Sequence, residues 1–193
     1  SPSGEIALVQ LNGMLMDSRD IVRQLSDYRH DPQVRGIILR IDSPGGAVAP
    51  AQEIYSEIMK LRADHKTVYA SMGTVAASGG YYIACAADYV LANPGTLTGS
   101  ISAVMAFNNI EELTKKVGVK PYIIKSGKFK DVGSPLRAMT PDEQKLLQDV
   151  VNDVHEQFVQ AIATGRDLPL SEVHKIADGR IMTGQQALKL KLI

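Results

Sequence analysis

Two glycine-rich segments carry the residue types from which an acyl-transfer site can be built. They are Asp42-Ser43-Pro44-Gly45-Gly46 and Ala76-Ala77-Ser78-Gly79-Gly80. A serine hydroxyl becomes a nucleophile when a base takes its proton, and the oxyanion it creates needs donors. Ser78 falls at a predicted strand-to-helix turn. Backbone N–H groups at a helix start lack intrahelical partners and can serve such an oxyanion. Gly79 and Gly80 have no Cβ, so a peptide backbone can come close. Taken alone, Ser78 has a second reading as a helix N-cap followed by flexible glycines. The 42–46 segment shifts the balance. An N–H from Gly45 and one from Gly79 would form a two-donor oxyanion hole, where one donor is worth roughly 2.7–4 kcal/mol in the transition state. The rival reading of that segment is a tight turn whose glycines supply only positive φ.

The serine also needs a base. His30 and His65 sit in polar stretches near predicted helix ends, His155 lies beside the apolar face of a long helix, and His174 belongs to a short polar helix. None has a glycine-rich or strand-end setting, and each reads as a surface or packing residue. A Ser-His-Asp triad stays open, since its members need not be close in sequence. Lysine is the other choice. Lys125-Ser126-Gly127-Lys128-Phe129-Lys130-Asp131 follows a predicted strand. A lysine base must be neutral, which requires lowering a pKa near ~10.4 by ~2–3 units, or about 3–4 kcal/mol. Burial does this and a nearby carboxylate opposes it. Residue chemistry leaves Lys125, Lys128 and Lys130 all open.

The elements that must position these groups follow a strand–helix rhythm. Residues 5–11, 34–41, 67–72, 88–92, 101–106 and 121–124 read as strands. Helices are expected from Ser18 with Ile21, Val22, Leu25 and Tyr28 inward, and from Pro50 as first residue with Ala51, Ile54, Tyr55, Ile58 and Leu61 inward. Others start near Ser78 and span 109–117. Thr140-Pro141-Asp142-Glu143 is a capping-box signature. It opens a long helix with Leu147, Val150, Val151, Val154, Phe158, Ala161 and Ile162 inward and Gly165 as its stop. Short helices are expected at Ser171 and Thr183. The pattern predicts an α/β fold with a largely parallel sheet core flanked by helices. Ligands in such sheets bind at the carboxyl ends of strands, which both glycine-rich segments follow. Tyr81 and Tyr82 either line a substrate groove or pack the helix.

Composition sets outer bounds. The 193 residues are 45% hydrophobic and 22% charged, with Lys+Arg and Asp+Glu both at 21. That suits one soluble domain, residues 1–193, and offers no basic field for nucleic acid. Zero net charge is compatible with self-association. No run reaches the ~18 apolar residues of a spanning helix. The opening Ser1-Pro2-Ser3-Gly4 and the final Ile193 read as trimmed ends, with an anchor or tail missing. The single Cys85 excludes an intrachain disulfide. No cofactor or metal is expected.

At this point the chain resembles the signal peptide peptidase A family, membrane-anchored Ser-Lys endopeptidases with a Clp-protease-like, crotonase-type fold. The matching stretches are IILRIDSPGG (37–46), VAASGGYYIACAADYVLANPGTLTGSIS (75–102), SGKFKDVGSP (126–135), the TPDEQ stretch and the closing GRIMTGQQALKLKLI. The resemblance implies Ser78 as nucleophile and Lys130 as base. It implies Gly45 and Gly79 as oxyanion-hole donors, and Ser100 as a serine orienting the lysine. It also implies a homo-oligomeric ring whose lysine comes from a neighbouring protomer, peptide substrates such as signal-peptide remnants, and a catalytic domain on the extracytoplasmic side of the cell membrane. Rival readings are a crotonase-fold acyl-CoA hydratase or isomerase, a non-catalytic oligomeric scaffold, and an α/β-hydrolase esterase, for which the serine segment is a partial match.

Overall fold

The computed structural model describes residues 4–193; Ser1, Pro2 and Ser3 of the opening segment lie outside the described residues. The chain divides into two compact units, one of residues up to Ser102 together with Glu156–Ile193, the other Ala103–His155.

The first unit holds a six-stranded sheet. Strands β1 (Glu5–Asn12), β2 (Val34–Ser43) and β3 (Thr67–Ala77) run parallel side by side. Strands β4 (Tyr89–Leu91) and β5 (Leu97–Gly99) both pair with β3 in parallel, and β6 (Ile181–Thr183) closes the edge antiparallel to β5. β5 and β6 are three residues each, too short for a periodic signal, and sequence reasoning did not anticipate them. Helices α1 (Arg19–His30), α2 (Val48–Ala63) and α3 (Gly79–Ala84) connect the parallel strands. Leu25, Ile37, Leu39, Ile41, Ala51, Ile54, Ile58, Leu61 and Val68 form the core between helices and sheet. Each fully buried Leu or Ile contributes roughly 1.5–3 kcal/mol by leaving water. The expected inward face of α2 is there, with Tyr55 half-buried. Pro50 is the third residue of α2, not the first, which costs nothing because its missing N–H falls in the unpaired first turn. Ser18 precedes α1 without capping it; its hydroxyl donates to Glu53 instead.

The second unit contains α4 (Glu111–Lys116) and the first half of α5 (Pro141–Arg166). Thr140 and Glu143 form the expected reciprocal capping bonds, Glu143 N–H to Thr140 Oγ1 at 3.3 Å and Thr140 N–H to Glu143 Oε2 at 2.8 Å. The stretches 101–106 and 121–124, which read as strands, have no strand partner among the described residues. Ile101 is buried in the core, but most of the remaining apolar side chains are exposed; Val104, Tyr122 and Ile124 are 87%, 90% and 101% exposed. Strand preference is a preference for a packed pleated surface, so without that surface the pattern stays unexpressed. α5 buries Phe158, Ala161 and Ile162 as expected, whereas Val150 is exposed. Gly165 does not stop α5. It lies inside the helix where a Cβ would sit 2.0 Å from the Cys85 carbonyl oxygen, and the chain turns at Asp167, whose φ is +51°. α6 (Leu170–His174) and α7 (Gly184–Lys189) complete the chain, α7 with a full capping box from Thr183 and Gln186.

Candidate active site

The carboxyl ends of β2, β3 and β5 bring the glycine-rich segments together. Ser78 follows the last residue of β3 and precedes the first of α3. Its backbone has φ +53° and ψ −124°, a conformation a non-glycine residue rarely takes and one that costs on the order of 1–3 kcal/mol. The surrounding bonds hold it there. Ser78 N–H donates to Gly99 O at 2.9 Å, and Tyr82 N–H donates to Ser78 O at 2.9 Å. Among the described residues no side chain hydrogen-bonds the Ser78 hydroxyl, and the residue is half-buried. A serine fixed on a strained strand-to-helix turn at the sheet's carboxyl end is the arrangement of a nucleophile elbow.

The β2 turn crowds directly against it. A Cβ added to Gly45 would lie 2.5 Å from Gly79 N, 3.0 Å from Ala77 O and 3.0 Å from Ser78 Cβ, and its φ is +94°. Only glycine satisfies both constraints. The segment after β1 braces this turn from the other side, with Leu15 N–H donating to Gly45 O at 2.9 Å and Ala47 N–H to Leu15 O at 2.7 Å. In the resting site Gly45 N–H donates to Ser43 Oγ at 3.1 Å, while that hydroxyl donates to Gly13 O at 2.6 Å. An oxyanion is a stronger acceptor than a hydroxyl and can draw this N–H to itself. Gly46 N is 3.4 Å from where a Cβ on Gly79 would stand, a second backbone donor at the same turn that sequence reasoning did not single out.

Ser100 occupies the corresponding place one strand over. Ala77 pairs with Gly99, so Ser78 and Ser100 each follow a residue of that pair. Ser100 also has positive φ, +54°, and its N–H donates to Arg180 O at 2.7 Å. Tyr81 and Tyr82 resolve as packing residues. Tyr81 is fully buried with its hydroxyl on Leu192 O at 2.7 Å, and Tyr82 packs between Tyr55 and Phe158. Burial pushes the Cys85 thiol up to about 12, so it is no nucleophile at neutral pH. Asp42, the carboxylate nearest the turn in sequence, accepts Val75 N–H at 3.0 Å.

No histidine hydrogen-bonds the Ser78 hydroxyl among the described residues. His30 Nδ1 lies 2.7 Å from Ser26 O, His174 Nε2 lies 3.3 Å from Glu156 Oε2, and His155 Nε2 is buried without a partner among the described residues. The three lysines of the 125–131 segment, in the second unit, separate clearly. Lys125 Nζ pairs with Asp131 Oδ1 at 2.5 Å, and Lys128 Nζ with Asp142 Oδ2 at 2.5 Å. Lys130 has no ion-pair partner among the described residues. Its neighbour Asp131 is held by Arg137 Nε at 2.9 Å as well as by Lys125. Those two cations, Arg137 foremost, hold the Asp131 carboxyl far below the usual carboxylate range. No cluster of three His, Cys, Asp or Glu side chains suited to a metal ion occurs among the described residues.

Comparison with known proteins gives two family matches. The model of peptidase family S49 matches residues 60–193, and that of Clp protease matches residues 7–109. A putative protease of Synechocystis sp. is 43% identical over 98% of this chain and 68% of its own length. A putative signal peptide peptidase of Enterococcus faecium is 32% identical over 98% of this chain and 59% of its own length. Protease 4 of Salmonella typhi is 35% identical over 95% of this chain, which spans 31% of that relative.

Proposed function

The chain belongs to peptidase family S49 and is a serine protease, and on that premise we propose that it cleaves unfolded apolar polypeptide segments, signal-peptide remnants among them, with Ser78 as nucleophile and Lys130 as general base. Neutral Lys130 Nζ takes the Ser78 Oγ proton as Oγ adds to the scissile carbonyl carbon. Gly45 and Gly79 N–H groups donate to the oxyanion. As it collapses, the ammonium returns the proton to the departing amine and an acyl-enzyme remains. Water then attacks the ester with Lys130 again as base, and the second product leaves with Ser78 restored. Ser100 orients the lysine amine.

The observation that supports this reading most is the contact between the Gly45 turn and the Ser78 turn, too close for any side chain at position 45. The match to a peptidase family favours peptide hydrolysis over acyl-CoA chemistry. The open state of Lys130 supports it as the base over Lys125 and Lys128. A lysine acts as a base only in its neutral form, which burial away from water favours, so the reading requires a cover over Lys130. A neighbouring protomer supplies that cover, which ties catalysis to a homo-oligomeric ring with shared sites. Residues 1–193 act as one protease domain of that ring. No helix of the described residues is long and apolar enough to cross a membrane. Membrane association, with the catalytic domain on the extracytoplasmic side, rests on an anchor outside these residues.

The test uses an unfolded apolar polypeptide as substrate. Ser78→Ala and Lys130→Ala should each abolish cleavage, by on the order of 10⁴-fold or more. Mixing the two inactive proteins under conditions that exchange subunits should restore part of the activity. Normal cleavage by either variant overturns the dyad. Failure of exchanged mixtures to recover overturns the shared site.

A further inference from the structure

A base lysine directly followed by an aspartate poses a problem. A carboxylate beside an ammonium stabilises its charge and raises its pKa by ~1–3 units, the wrong direction for a base. The structure turns Asp131 elsewhere. Its Oδ2 accepts from Arg137 Nε at 2.9 Å and its Oδ1 from Lys125 Nζ at 2.5 Å, and its side chain is only 12% exposed. The other edge of the Arg137 guanidinium grips Glu143, Nη1 to Oε2 at 2.8 Å and Nη2 to Oε1 at 2.5 Å, where Glu143 is buried in the first turn of α5. Arg137 Nη2 also donates to Asp131 O at 3.3 Å. One guanidinium therefore ties both the side chain and the main chain of residue 131 to a helix start.

We propose that Arg137 is a positioning residue for the reaction: by clamping Asp131 against itself and Lys125, it keeps the adjoining carboxylate off Lys130 and leaves that amine free to act as a base. The inference rests on Lys130 being the base. The charged groups around the turn within the second unit are few. Lys125, Lys128 and Asp131 belong to the turn itself and Arg137 to the next one. Asp142 and Glu143 lie on α5, and Glu111 on α4 accepts Ala138 N–H at 3.1 Å. Asp142 is taken by Lys128, and Glu111 by Lys115 at 2.9 Å. Asp131 is thus the carboxylate whose release would reach Lys130 first, since the two are adjacent in the chain. Main-chain bonds fix the turn's shape, Lys130 N–H to Gly127 O at 3.1 Å and Ser134 N–H to Asp131 O at 3.0 Å, so the clamp controls a side-chain direction more than a backbone path.

The experiment is the pH dependence of kcat/KM for peptide cleavage by the assembled protein. The rising limb on the acid side reports the base in the free enzyme. Arg137→Met frees Asp131 to face Lys130, and the limb should move up by about one pH unit, a loss of about 10-fold at any fixed pH below it. Adding Asp131→Asn to that variant should return the limb to its original position even if the rate stays low. A purely structural role predicts lower rates at every pH with the limb unmoved, and that result overturns the proposal; so does a moved limb that Asp131→Asn does not restore. If Arg137→Met fails to fold, Lys125→Met removes the other cation on Asp131, and an unmoved limb there is equally fatal. Should Lys130→Ala retain activity, the base assignment falls. If Lys130 proves essential while the limb stays put, only the clamp does.

Discussion

The two units differ in how far a single chain completes them. In the first, the nucleophile turn is determined from every side: strand register, backbone bonds to Gly99 and Tyr82, and the Gly45 turn in van der Waals contact. In the second, the lysine turn is well tied internally but stands among uncovered apolar groups, with Tyr122 and Ile124 almost wholly exposed. A strained serine conformation persists only where the surroundings over-determine it, whereas a neutral lysine needs an apolar, water-poor setting. One half of the proposed dyad is finished by intramolecular packing. The other half, on the reading proposed above, depends on a surface that a second copy would provide.

The strongest break to this comparison would come at Gly45. Gly45→Ala puts a methyl group 2.5 Å from Gly79 N and forces an alanine to φ +94°. The two turns must part, and both proposed oxyanion donors shift. We expect kcat to fall about 10²–10³-fold, the cost of losing one donor or more. The measurement is kcat at a matched assembly state, with circular dichroism to verify the fold. Near-normal kcat would mean that the turn contact is structural only.

A smaller effect should come from the second unit. Ile124→Asp changes a side chain that is 101% exposed in the lone chain, so the fold of one subunit should be untouched. If a neighbouring copy covers this segment, the buried carboxylate weakens assembly, and activity at low protein concentration should drop by roughly 10-fold or more, recovering as concentration rises. Sedimentation velocity at matched concentrations checks the cause. Unchanged assembly and activity would show that the 119–124 stretch faces solvent in the working enzyme.

The same contrast explains what could be read from sequence. The long elements β1, β2, β3, α1 and α2 follow from periodicity because their apolar faces pack within the chain. Ser78 was legible from its glycines and its place after a strand. Lys130 was not separable from Lys125 and Lys128, because ion pairing to Asp131 and Asp142 depends on how a turn folds back on α5. The predicted strands at 101–106 and 121–124 carry a real β pattern, but a pattern does not reveal whether its partner belongs to the same chain. The short β5 and β6 escaped because three residues hold no period. β5 nevertheless places Ser100 beside Ser78. Arg137 gave no sequence signal beyond a lone cation before a capping box.

The smallest effect concerns acid stability, and it should separate the units again. Arg137 and the Thr140 N–H hold the Glu143 carboxyl down from an ordinary 4.5 to about 2. A carboxyl whose pKa is lower in the folded state stabilises that state fully above its unfolded value and loses the contribution as it becomes protonated. The contribution of Glu143 is therefore intact above about pH 4.5 and disappears between 4.5 and 2. Asp131 changes in the same direction and extends the loss to lower pH. In the first unit, Asp17 and Asp178 are also lowered to about 2, but by exposed neighbours Arg19 and Arg180, and surface pairs of that kind contribute little. Amide protection at the start of α5 should consequently fall over this pH range before protection in β2 does. Glu143→Gln should start with lower protection at neutral pH and show a flatter acid response there. An acid response that remains as steep in that variant would assign the sensitivity to Asp131, and with it the larger share of the clamp's contribution to holding the turn.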